Sequence, residues 1–393
     1  MFKLRIVIII ISVLLLAIGV SVCGTQGSTP TPSPSGSLEI KDGFYVLHLR
    51  GSAEDMGRQH GTLLKDQITE FVQEYLFEGV VEESGVPWAL LAWTAKEFYE
   101  DQLPDDFKTE LHAIAEASGV SYEAVLVCQL MGDMPDLTQT ASMGGTSFIA
   151  KGGATSGGTI IHGANVEMDD YNNSLRDRLT IIYYEPTNGN KFVSLSAPGL
   201  ASVIIGMNEK HVALSISAVE AGIDQNGLPT CANLRRALQY SDSLSEAADY
   251  LTQSDKRTRG YIVPVSCGSP EGLFVMELSP NHYKKREIGT LEALVSADHF
   301  ISQEMQPYQD GASPVDSVRR YNTLMELITQ NYGSITESSA ESFMSDRSEP
   351  NGDYINNDSV IYSSILLPQE LTFWVAKGPV SSVADYVSFS LEE

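Results

Sequence analysis

The segment Gly144-Gly145-Thr146-Ser147-Phe148-Ile149-Ala150 sets two glycines before a hydroxyl residue at the head of an apolar run. Gly157 and Gly158 then turn the chain, and a second run ends in Asn165-Val166-Glu167. In chemical terms this is a strand, a hairpin and a returning strand that closes on an amide and an acid. A hydroxyl residue freed at the head of a strand by cleavage of a glycyl bond can use its own α-amine as general base. The unperturbed pKa of that amine, about 8, suits proton transfer near neutral pH. Thr146 is the hydroxyl residue in that place, and Gly145-Thr146 is the bond that would break. Taken alone, Thr146 and Ser147 read as ordinary strand residues. Asn165 and Asn208 read as turn residues that satisfy local backbone groups.

The elements that must position these residues follow from apolar periodicity. Ser52-Ala53-Glu54-Asp55 has the form of a capping box. After it, Leu64, Ile68, Phe71, Val72, Tyr75 and Leu76 share one helical face. Helices are expected again at 88–102, 106–117 and 121–131, as a pair over 231–252, and at 313–330 and 335–345. Short alternating or apolar runs between turn residues predict strands at 146–151, 159–165, 179–185, 191–197, 202–207 and 211–217. Further strands are expected at 261–265, 272–278, 292–297, 359–366 and 371–376. Helices first, then strands with a helical pair inserted, predict an α+β fold of layered sheets flanked by helices.

Several motifs in fixed order resemble one family. Gly145-Thr146-Ser147-Phe148, the Ala154-Thr155…Gly158 hairpin and Gly163-Ala164-Asn165-Val166-Glu167 are similar to the central segment of the acyl-CoA:6-aminopenicillanate acyltransferase family, peptidase family C45, of the Ntn-hydrolase superfamily. Gly51 to Gly61, Gly206-Met207-Asn208-Glu209, Leu228-Pro229 leading to Arg235-Arg236-Ala237-Leu238, Asp298-His299-Phe300, Arg320-Tyr321 and Phe373 to Gly378 resemble its other motifs. The resemblance covers roughly residues 43–390. It implies a four-layer αββα sandwich, with 41–145 as a helical pro-like segment and 146–393 as the core. It implies autocatalytic cleavage before a nucleophile, then amide hydrolysis or acyl transfer on a small acyl-amide or peptide. Asn208 would donate to an oxyanion or hold the new amine, and Asn165 and Glu167 would orient that amine. Arg235 would bind a carboxylate or hold an acid by a bidentate pair. Asp298 and His299 would complete the substrate side.

The chain departs from the family pattern where chemistry is carried. Gly145 stands where the family keeps a cysteine, Glu167 replaces an aspartate, Asp298 replaces an asparagine, and His211 stands where glycine is common. Two explanations are open. Either Thr146 is the nucleophile, with a bulge absorbing a one-residue slip that would otherwise turn its side chain to the other face, or the site is silent and the fold binds a small ligand. His299 by default is a packed core histidine, and Arg235 a surface charge on its helix.

Bulk properties bound the setting. Lys3 and Arg5 precede an apolar run from Ile6 to Val22, the form of an export signal or a short anchor over 1–22. Val20-Ser21-Val22-Cys23 resembles a lipobox, with Val22 where a small residue is usual, so lipid on Cys23 and a plain anchor are both open. Residues 23–40, with Thr29-Pro30-Thr31-Pro32-Ser33-Pro34, read as a solvated stalk. The expected location is therefore the outer face of the cytoplasmic membrane. A net charge of −26, from 25 basic and 51 acidic residues, argues against nucleic acid as a partner. No Cys-x-x-Cys or His-x-x-x-His spacing occurs, so neither a metal nor a cofactor is expected. Cys231 and Cys267 fit either a disulfide or buried thiols.

Overall fold

The computed structural model describes residues 35–137, 143–254, 256–348 and 354–392. The expected export segment and most of the expected stalk lie outside the described residues; where a solvated stalk was expected up to residue 40, the chain instead forms strand β1 (Ser37–Lys41), paired with β2 (Phe44–Gly51). Ser52 and Asp55 form the expected capping box on α1 (Ala53–Leu63). Next come α2 (Lys65–Phe71), a π-helical stretch Val72–Val81, α3 (Glu82–Ser84), α4 (Trp88–Thr94), α5 (Asp105–Ser118) and α6 (Tyr122–Leu130). Strands β3 (Met143–Gly152) and β4 (Gly158–Met168) form the central hairpin, which turns through Gly157 and Gly158 at φ +79° and +82°. Positive φ at both explains why the turn uses glycine.

After a short α7 (Ser174–Asp177) come β5 (Thr180–Pro186), β6 (Phe192–Ser196), β7 (Ile205–Asn208), β8 (Val212–Leu214) and β9 (Ser217–Ile223). Helices α8 (Thr230–Tyr240) and α9 (Leu244–Thr252) are the expected pair. The chain continues through β10 (Arg259–Gly268), β11 (Glu271–Leu278), β12 (Tyr283–Glu287), β13 (Ala293–Ser296), α10 (Val315–Gln330) and α11 (Glu337–Met344). It ends in β14 (Val360–Leu367), β15 (Thr372–Lys377) and β16 (Val387–Ser390).

Two sheets stack. The larger runs β1-β2-β5-β6-β7-β8-β10-β11-β12, with β9 also on β10; the smaller runs β13-β3-β4-β14-β15-β16. Ile149 and Ile160 of the smaller sheet meet Val219, Ile262 and Val275 of the larger. On its other face, Phe148, Ala150 and Ile161 meet Leu324 and Ile328 of α10 and Ala340 and Phe343 of α11. The larger sheet is covered in turn by the helices of the N-terminal half and by α8 and α9. The chain is thus an α+β sandwich in which helices flank two packed sheets. All of β10 and β14 is buried, as strands covered on both faces must be. Cys128 and Cys267 are buried free thiols, so Cys267 takes the thiol reading rather than the disulfide.

Candidate active site

Antiparallel register decides what β3 and β4 can bring together. It runs without a shift from Met143↔Met168 through Gly145↔Val166 and Thr146↔Asn165 to Ala150↔Ile161, and slips only between Ala150 and Gly152. Side chains alternate between faces along a strand. Phe148 and Ala150 face the helices and Ile149 faces the other sheet, so Thr146 faces the helices and Gly145 faces the other sheet. Asn165 and Glu167 share the face of Thr146. The bulge that would have turned Thr146 toward the sheet interior is not part of this strand.

Gly145 is closed as well as bare. A β-carbon there would lie 2.5 Å from the Asn165 carbonyl oxygen and 3.3 Å from that of Ile216. Real β-carbons do not approach backbone oxygen that closely, so a cysteine would need the backbone to move.

Over Thr146 lies Arg320, carried by α10 as its apolar residues Leu324 and Ile328 dock on the sheet. Arg320 Nε donates to Thr146 Oγ1 at 3.0 Å. Its Nη2 meets Asp298 Oδ2 at 2.5 Å, its Nη1 meets Asp316 Oδ2 at 2.7 Å, and Glu167 Oε1 lies 3.5 Å from Nε. One buried guanidinium thus serves a hydroxyl and three carboxylates. Asp298 follows the end of β13, whose register Ser296↔Ser147 carries it opposite Gly145. There its Oδ1 accepts the Gly145 N–H at 2.9 Å.

Burial raises both inner acids. Burial first, and then the charge of Glu167, push Asp298 up to about 8 against the pull of Arg320 and the Gly145 amide. Glu167 is raised by burial, opposed by Arg320 and by hydrogen bonds from Asn357 and Thr146. Asp316, half open to water, is held below the usual carboxylate range: burial works against its charge, and Arg320 outweighs burial. Arg320 stays firmly charged, because its three acids overcome its desolvation. A buried hydroxyl between a fixed cation and an acid of raised pKa is an arrangement suited to proton transfer.

The remaining expected residues sit in other bonds. Asn165 donates through Nδ2 to the carbonyls of Met344 and Ile355, both at 2.9 Å, and its Oδ1 is buried without a partner. Asn208 donates to Leu238 and Ser241 carbonyls at 2.7 and 2.9 Å and accepts from Lys210 and Val212 amides at 3.0 Å each. Its amide is therefore fully engaged in joining β7 to α8. Arg235 is buried with Glu110 at 2.9 Å, donates to the Ala201 carbonyl at 2.6 Å, and stacks on Tyr184 and Phe192. That is a second charged cluster, apart from the one around Thr146. His299, beside Asp298 in sequence, bonds Ser317 Oγ through Nδ1 at 2.7 Å, and burial with nearby Arg286 and Arg320 lowers it to about 4. It is a neutral packing histidine behind the site.

Two participants carried no assigned role in the sequence reading, Arg320 and Asp316. Arg320 belongs to a matched motif, and the Asp316–Arg320 spacing of i,i+4 is a legible helical pair. Their convergence on Thr146 depends on how α10 docks.

Residues 166–379 match the family described as acyl-coenzyme A:6-aminopenicillanic acid acyl-transferase. The chain belongs to that family. The matched stretch begins at Val166, so it contains Glu167, Asp298 and Arg320 but not Gly145 or Thr146. As a member, the chain is 26% identical over 364 residues to an uncharacterized protein of Archaeoglobus fulgidus, covering 81% of this chain and 60% of that one. It is 28% identical over 251 residues to protein dcd1B of Dictyostelium discoideum, covering 55% of this chain and 47% of that one. The chain thus spans between about half and three fifths of the length of these relatives. Among solved structures, the Caenorhabditis elegans ortholog of N-acylethanolamine-hydrolyzing acid amidase is similar at a TM-score of 0.45 and 16% identity, over 62% of this chain and 99% of that one.

Proposed function

We propose that this family member is an exported amide hydrolase or acyltransferase of small acyl-amides or peptides, with Thr146 as nucleophile after cleavage of Gly145-Thr146. In cleavage, Thr146 Oγ1 attacks the Gly145 carbonyl carbon and the C–N bond breaks, leaving an ester and a free α-amine. Water then splits the ester, giving a new carboxylate on Gly145 and the hydroxyl on Thr146. In turnover the α-amine takes the hydroxyl proton, Oγ1 attacks the substrate carbonyl, and the amine half leaves with a proton. Water or an acceptor amine resolves the acyl ester. Arg320 would stabilise negative charge near Oγ1, and Glu167 and Asp298 would hold the new ammonium group. The observation that carries this reading is the 3.0 Å Arg320 Nε–Thr146 Oγ1 bond inside a buried cluster of acids. Keeping such charges out of water is costly and is usual where chemistry needs them.

A second reading, a silent binding protein, is favoured by the packed backbone at Gly145 and by the unbroken register that turns Thr146 to the helices. Intact-mass measurement of the mature protein under denaturing conditions separates the two. Two fragments meeting at Gly145-Thr146, lost in Thr146→Ala and retained in Thr146→Ser, support the hydrolase. A single chain with no acyl-enzyme adduct from an activated ester leaves only the binding protein.

The proposed location rests on residues 1–22 and the Pro-rich stretch after them. Recovery in the membrane fraction, with protease accessibility from outside the cell, is the expected outcome. Among the described residues no helix is long and apolar enough to cross a membrane.

A further inference from the structure

Beside the head of β3 opens a cavity of about 300 Å³. Met143 and Gly144 form part of its wall, so it reaches to the residue before the Gly145-Thr146 bond. Six carboxylates line it: Glu167, Asp169, Glu220, Asp298, Asp310 and Asp316. Arg320 is the cation in the lining, and Arg259 reaches Glu220 from outside at 3.4 Å. Even with Asp298 and Glu167, both raised by burial, counted as neutral, four acids face two arginines. The wall is therefore net negative, and a recess of one sign concentrates ions of the other.

The buried part of the wall also holds a carboxylate oxygen with hydrogen-bonding capacity left over. Glu167 is only 9% exposed, and its Oε1 makes no hydrogen bond: Arg320 Nε, its ion-pair partner at 3.5 Å, donates to Thr146 Oγ1 instead. A buried carboxylate oxygen left without a donor costs free energy. At the open side, Asp310 accepts the Gly222 N–H at 2.8 Å, and Glu220 is largely open to water. Acids thus run from the rim to the reacting bond.

We infer that the cavity takes a substrate bearing a protonated amine, an acyl-amide whose amine half carries a second, cationic nitrogen, as in an acylated polyamine. The inference rests on the amide-hydrolase reading for the reaction but not for the binding. An ammonium group supplies the donors that Glu167 and the rim acids accept, and its acyl nitrogen then lies toward Thr146. A substrate with a carboxylate on that side would meet an excess of charges of its own sign.

The test is calorimetric titration of the full-length protein at low salt with N1-acetylspermidine and with the uncharged N-butylacetamide. The expected result is binding of acetylspermidine at least about tenfold tighter than butylacetamide, weakening as salt rises. Glu220→Gln and Asp310→Asn change exposed rim acids of the proposed binding site, away from the reacting bond. Each should weaken acetylspermidine by roughly three- to tenfold, with butylacetamide unaffected. Equal affinity for the two compounds, no binding of acetylspermidine, or variants that bind it like the parent would each overturn the inference. Turnover is read separately by release of spermidine or butylamine. Tight, acid-dependent binding without release sinks the hydrolase reading alone, whereas equal cleavage of both amides sinks this inference alone.

Discussion

Arg320 is the residue on which the site turns, because a buried cation answers to three carboxylates and a hydroxyl at once. Arg320→Ala leaves the buried Glu167 without its counter-charge, and breaking a buried pair in this way costs about 3–5 kcal/mol. Urea unfolding at neutral pH should show that loss; a change below about 1 kcal/mol would mean the acids are already neutral or hydrated. Asp298 gives the site a pH signature. Its folded pKa of about 8 lies far above the ordinary carboxyl range, so above that range the folded protein keeps a proton that the unfolded chain releases. The stability this group contributes is complete at low pH and is lost as pH rises toward 8. Asp298→Asn mimics the protonated form, so its stability relative to the parent should grow from about pH 5 to about pH 8. A difference that shrinks over the same window would contradict the assignment. At Gly145 the prediction is steric. Gly145→Ala should cost roughly 1–3 kcal/mol by overpacking against the Asn165 carbonyl, and Gly145→Cys should not restore cleavage at that position.

At the scale of elements, α10 holds Arg320 through contacts the guanidinium does not make. Leu324, one turn on and fully buried against β3, is the nearest such anchor. Leu324→Ala should destabilise by about 2–5 kcal/mol and should also loosen Arg320, which denaturant titration and the pKa of Asp298 by carboxyl NMR would report together. Elements with apolar alternation were legible from sequence: the central hairpin, the α8–α9 pair, α10, α11 and β14 fall where periodicity set them. Strand β2, though mostly buried, was not among them, and two further strands that were not share a physical cause. β1 (Ser-Leu-Glu-Ile-Lys) and β12 (Tyr-Lys-Lys-Arg-Glu) are edge strands with much of their surface in water, so burial wrote little pattern into them. Thr146, Asn165 and Glu167 were legible as one face because period two is a local rule. The meeting of that face with Arg320 and Asp298 was not, since it depends on helix docking and on a register 153 residues away in sequence. Asn208 and Arg235 show the converse: family position drew them toward the site, whereas their buried bonds hold β7 to α8 and α8 to α5.

For the whole molecule, the charge of −26 is the dominant long-range term. Self-repulsion on that scale should be relieved by salt, as the screening length falls from about 30 Å at 0.01 M to about 10 Å at 0.1 M. The thermal midpoint should rise over that range, and a flat response would place the excess acids in local pairs or in solvated segments. The topology adds one more consequence. β2, from the N-terminal half, is paired in parallel with β5 over seven residues from Tyr45↔Thr180 to Gly51↔Pro186, while β1 caps its outer edge. A cut at Gly145-Thr146 would therefore release no propeptide. It would turn one chain into two subunits of a heterodimer that share a β-sheet, with residues 1–22, the proposed export segment, on one subunit and Thr146 on the other. On the proposed membrane attachment, the half bearing Thr146 would be held there by strand pairing and helix packing alone.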